Sequence, residues 1–117
     1  MSVNTKTNYG QIKISDNAIA TLAGTAVFEC YGVVGMTSSK ISDGINSILR
    51  KENYSKGVKI KNDGIAIEVD LYVILSDGVR IFEVVNSVQQ RVKYSLEKTL
   101  NMDVKAVNVH IQGIKVV

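Results

Sequence analysis

The sharpest chemistry this sequence could hold is a thiol with an imidazole, from its one cysteine, Cys30, and its one histidine, His110. A cysteine nucleophile needs its base within hydrogen-bond reach, about 3 Å. The spacing of the neighbours speaks against that pair. Cys30 falls on the apolar stripe of a helix with Ile19, Leu22, Ala23, Ala26 and Val27, whereas His110 alternates with Val107, Val109 and Ile111 and points to the other side of a strand. Packed layers stand roughly 10 Å apart, too far for proton transfer. A thiol among apolar neighbours, with no cation expected beside it, keeps its pKa at or above the ordinary value, so Cys30 reads as structural. One His and one Cys, without HxxxH or CxxC spacing, do not make a zinc shell, and no cofactor or metal is expected.

A second constellation is Glu68, Asp70, Tyr72, Asn108 and His110, all at outward positions of two strands. Carboxylates beside an imidazole can do acid–base work. Polar residues at alternate positions are also what a solvated or protein-binding sheet face requires. Catalysis by Asp70 and His110 would need an enclosed pocket beside them; an interaction surface would not. All three readings stand at this point.

The third is a charge cluster. Between Lys40 and Lys61 six basic residues face only Asp43 and Glu52, although the whole chain carries just +3. Arg50, Lys51, Lys56 and Lys59 are candidates to bind an anion, either the headgroups of acidic lipid or RNA phosphates. The stretch offers Tyr54 as its only aromatic and no RNA-binding signature, so stacking on bases is poorly provided for and nucleic acid is disfavoured. No phosphate loop of the GxxxxGK[ST] type occurs.

The elements that would position these groups follow from periodicity. The 117 residues suffice for one domain, with 1–8 as a flexible terminus and 9–117 as the folded unit. "YGQIKIS" alternates as a strand, Ser15 caps a helix, and Gly32 is placed to stop it. Residues 37–56 suggest a short helix around Ile41, Ile45, Ile48 and Leu49. Asn62, Asp63 and Gly64 mark a hairpin, with Val58, Ile60, Ile65, Ile67, Val69, Leu71 and Val73 inward and Lys59 and Lys61 outward. Ser76, Asp77 and Gly78 offer caps for a long helix with a stripe from Ile81 through Val84, Val88, Val92 and Leu96 to Leu100, and Asn101 ends it. Val107, Val109 and Ile111 face inward on a closing strand. The fold class is α+β: a small mixed sheet with two main helices on one face, in the order strand, helix, short helix, strand, strand, helix, strand, and with the other face largely open. No window reaches the roughly 18 apolar residues of a membrane span, and residues 1–15 lack a signal-peptide pattern, so the expected compartment is the cytoplasm.

The pattern from Gly10 to Ser15, then Ile19, Ala23, Ala26, Glu29, Gly32-Val33 and Gly35-Met36, followed by "IEVDLYVIL", "GVRIFEVVNSVQQRVKYSLEKTLNMDV" and "AVNVHIQGI", resembles the bacterial alkaline shock protein 23 family in its short, YloU-like branch. The resemblance spans residues 9–114. It implies a non-enzymatic protein of envelope stress and envelope homeostasis that acts by association, as a self-associating or adaptor module. It further implies a homo-oligomer or a related family member as partner, a candidate kinase partner of the fatty-acid or dihydroxyacetone type, and contact with membrane only through a partner. It supplies no active-site residues. Many relatives carry proline where this chain opens its long helix with Val79, Arg80 and Ile81, which leaves the start of that helix open.

Overall fold

A computed structural model describes residues 2–37, 57–62 and 66–116, with side chains from Lys6 onward. The elements are β1 (Ser2–Thr7), β2 (Gly10–Ser15), α1 (Asp16–Phe28), β3 (Val33–Met36), β4 (Val58–Asn62), β5 (Ala66–Ser76), α2 (Ile81–Leu100) and β6 (Asp103–Lys115). The α+β expectation holds, with a mixed sheet under two helices.

β5 is the centre of that sheet. It pairs antiparallel with β4 (Val58 opposite Leu71, Asn62 opposite Ile67) and with β3 (Met36 opposite Val73), and parallel with β6 along its whole length. Since β6 takes one edge of β5 throughout, β3 and β4 share the other edge, end to end. Two neighbouring parallel strands need a crossover, and α2 supplies it. Ile67, Val69, Leu71, Val73 and Leu75 alternate toward the helices, and each is fully buried. Against them pack Ile19, Ala23 and Val27 of α1 and Val88, Val92 and Leu96 of α2.

α1 begins as the sequence requires: the Ala18 N–H donates to Ser15 Oγ at 3.1 Å. It ends at Phe28, before the expected stop; Gly32, at φ +93°, then allows the chain to turn closely against Val84. α2 starts later than expected. Ser76 ends β5 and Asp77 and Gly78 form the turn after it, so none of the three caps the helix; Arg80 stands at the N-cap without a side-chain capping bond, and Ile81, expected in the stripe, is 40% exposed. Asn101 ends α2 in the left-handed conformation, as expected.

Residues 1–8, expected to be a loose terminus, contain β1, which pairs with β2 from Ser2 opposite Ser15 to Thr7 opposite Gly10. At the turn the Tyr9 N–H donates to Thr7 Oγ1 at 3.2 Å. Backbone pairing holds this ribbon, which is why side-chain periodicity did not mark β1. The suggested short helix in 37–56 falls, from residue 38 on, outside the described residues, as do Asp63, Gly64 and Ile65 of the hairpin.

Candidate functional site

Register alone assembles the polar face. Asp70 lies opposite Lys59 of β4 and Asn108 of β6; Glu68 lies opposite Lys61; Tyr72 lies opposite His110. Directly opposed side chains on one sheet face sit about 5 Å apart, close enough to interact. Glu68, Asp70, Tyr72, Asn108 and His110, singled out on alternation, are therefore brought together by the structure.

Asn108 is the hub. Its amide nitrogen donates to Glu68 Oε2 at 2.8 Å and to Asp70 Oδ1 at 2.9 Å, so its two N–H groups hold two carboxylates on neighbouring positions of β5. Asp70 Oδ1 also faces His110 Nε2 at 3.5 Å, and Oδ2 faces Lys61 Nζ at 3.9 Å. The His110 ring stacks on Tyr72, with centroids 4.7 Å apart and planes 12° from parallel. An aromatic contact of this kind fixes the plane of the imidazole, and the carboxylate then fixes its edge.

Asp70 is 8% exposed, which corrects the expectation of a largely open face; Ile74, on the same face between Gly35 and Gly113, is 5% exposed. A buried carboxylate is tolerated when it is paired and hydrogen-bonded, and Asn108, Lys61 and His110 together do that for Asp70. The exposed part of the patch is Lys61, His110 and the half-buried Tyr72. Lys61 was placed outward by the sequence but not joined to Asp70; the diagonal contact follows from the hairpin register.

This arrangement satisfies its own groups more than it offers them. Asp70 accepts from Asn108 and faces His110 Nε2 and Lys61 Nζ. A cleft of about 490 Å³ lies beside the face and takes Glu68, Lys61 and Lys105 into its wall, but neither Asp70 nor His110 is among its described lining residues.

The other candidates lie elsewhere. Cys30 packs at the C-terminal end of α1 against the helix-side core, and its Sγ–H donates to Ala26 O at 3.6 Å. His110 is on the opposite face of the sheet, so the two do not form a dyad. Burial pushes the Cys30 thiol up; Arg91 pulls it down and Glu29 pushes it up in turn. A cation is thus present after all, contrary to expectation, with Arg91 Nη2 bound to Glu29 Oε2 at 2.6 Å, but burial outweighs it and the thiol stays raised. Of the basic candidates, Lys59 is exposed on β4, while Arg50, Lys51 and Lys56 lie outside the described residues. Among the described residues no cluster of three metal-ligating side chains occurs, and no helix is long and apolar enough to cross a membrane.

A small mixed sheet backed by two helices, with a polar face on its other side, defines a small α+β fold. The chain belongs to the alkaline shock protein 23 family, which has a cell envelope-related function, and the family profile matches residues 4–116. It is 47% identical over 117 residues to an uncharacterized protein of Bacillus subtilis strain 168, YloU, covering 99% of this chain and 98% of that one. It is 48% identical over 118 residues to the uncharacterized protein Spy1614 of Streptococcus pyogenes, covering 100% of this chain and 98% of that one. The uncharacterized B. subtilis protein YqhY is 31% identical over 109 residues, covering 93% and 80%. No solved structure matches the chain.

Proposed function

We propose that this chain works in envelope homeostasis as a non-catalytic interaction module, docking through the polar face of β4, β5 and β6. The observation that carries the reading is the Asn108 hub: it holds Glu68 and Asp70, Asp70 in turn faces His110, and His110 stacks on Tyr72 with its outer surface exposed. Groups already ordered lose little side-chain entropy on binding, and Tyr is among the residues most often at the centre of interfaces. Asp70 is 8% exposed and one of its oxygens accepts from Asn108, which favours a structural over a general-base role for it.

The candidate partners on this reading are a related family member and a kinase of the fatty-acid or dihydroxyacetone type, with the cytoplasm, beside the membrane through such a partner, as the compartment. The test is a paired replacement, Tyr72→Ala with His110→Ala, followed by capture of those partners. The variant should keep its thermal transition and lose partner binding; unchanged capture would remove this face from the mechanism.

A further inference from the structure

The free edge of β6 is treated differently in its two halves. In the first half α2 caps the edge: the Val104 N–H donates to Glu97 Oε2 at 3.1 Å, and Gln89 Nε2 donates to Val107 O at 3.0 Å. Such caps occupy the backbone groups through which an edge strand would recruit another chain. Beyond Val107 no described side chain caps the edge, and here apolar side chains come to the surface: Ile111 is 37% exposed, Ile114 46% and Val116 78%.

The sequence of this second half, Val109 to Val116, reads Val-His-Ile-Gln-Gly-Ile-Lys-Val, with β-branched residues placed symmetrically about its centre. In a regular strand Ile111 and Ile114, three apart, would point to opposite faces. The shift in the β6 register between Ile111, opposite Val73, and Gly113, opposite Ile74, inserts one extra residue, so that Ile114 lies opposite Leu75. Val73 and Leu75 both face the helices, so Ile111 and Ile114 share that face. The bulge makes the pattern symmetric in space as well as in sequence.

We infer that residues 109–116 of β6 form a strand-addition surface for a second copy of this chain, antiparallel about a two-fold axis near Gln112 and Gly113. This goes beyond the polar-face reading and uses the free edge of β6 rather than its polar face, the two sharing His110 alone. The two-fold sets Ile111 opposite Ile114 of the second copy and Val109 opposite Val116, apolar on apolar along the helix side. His110 then meets Lys115, and no acidic group is buried without a partner. An interface between identical chains must be self-complementary in this way, residue i meeting j while j meets i.

Asp77 N–H donates to Lys115 O at 2.8 Å, which holds the end of β6 against the turn that follows β5. Pairing the edge and covering Ile111, Ile114 and Val116 on both copies would bury on the order of 1,000 Å² in total, at the small end of specific interfaces. Main-chain hydrogen bonds supply the pairing and the isoleucines set its register.

The test is sedimentation velocity of the full chain across the micromolar range, for the wild type, for Ile111→Lys with Ile114→Lys, and for the polar-face variant Tyr72→Ala, which lies outside residues 109–116. The expected result is a dimer in the wild type and the polar-face variant, and a dissociation constant raised at least about tenfold, the loss of one hot spot, in the isoleucine variant. Amide hydrogen exchange guards against a variant that merely misfolds: in the concentrated wild type the Val109 and Ile111 amides should slow relative to dilute protein, while the capped Val104 amide should not change. A monomer at every concentration, a dimer that survives the isoleucine changes, or a dimer without slowed exchange at those amides would each overturn the proposal. Loss of partner capture by the polar-face variant, with the dimer intact, would leave that separate reading standing.

Discussion

The two faces of β5 are made by the same eleven residues and obey different rules. Toward the helices, Ile67, Val69, Leu71, Val73 and Leu75 are fully buried and interchangeable in kind: what matters there is volume. On the other face, Glu68, Asp70 and Tyr72 depend on named partners across the sheet, and what matters is direction. One strand thus separates a surface held by volume from one held by direction, and substitutions should sort accordingly.

The largest effect belongs to the helix side. Leu71→Ala, at the middle of β5, should cost about 2–5 kcal/mol, with a clear fall in the urea midpoint. A cost below that of an exposed substitution would mean that β5 is not the central strand. Next comes the hub. Asn108→Leu keeps volume but leaves Glu68 and Asp70 without their shared donor, at about 1–3 kcal/mol. Equal stability to wild type in chemical denaturation would show that the amide is dispensable and the two carboxylates are hydrated.

Smaller is Lys61→Ala. Its ammonium is 3.9 Å from Asp70 Oδ2 and 68% exposed, so the loss should be no more than about 1 kcal/mol and should vanish in high salt. A loss matching that of Asn108→Leu would make the ion pair, not the amide, the organising contact. The smallest effect on stability is expected at Cys30, where the readout is chemical. With its thiol pushed up by burial, alkylation should be slower in the folded chain than in urea, and its pH–rate profile should rise at higher pH. By linkage, the folded state favours the neutral thiol, so Cys30 contributes stability below the unfolded pKa that is lost as pH rises through the folded one. A folded profile displaced downward would instead give Arg91 control of the thiol.

Much of this contrast was legible in the sequence because β4 and β5 keep a strict period of two: Lys59 and Lys61 separate cleanly from Val58 and Ile60, as Glu68, Asp70 and Tyr72 do from Val69 and Leu71. The polar set on β6 was legible for the same reason. What escaped were features that side-chain periodicity does not encode. β1 is polar and exists through its ladder to β2. The bulge after Ile111 moves Ile114 to the helix side without altering composition. Gln89 and Glu97 look like ordinary surface residues of α2 until β6 is placed beside them. The start of α2 escaped because Arg80 makes no side-chain cap, leaving nothing at that position for a sequence to announce.

The order of elements also bears on how the core closes. The buried stripe of α2 begins Val84, Val88, Val92, and β-branched residues favour a helix only weakly on their own. The stability of that helix therefore depends on the sheet it covers, and the central strand is paired on its second edge only by β6, the last described strand in chain order. A chain cut before β6 would leave one whole edge of β5 bare and α2 without part of the sheet it covers, so the core closes only with β6 in place.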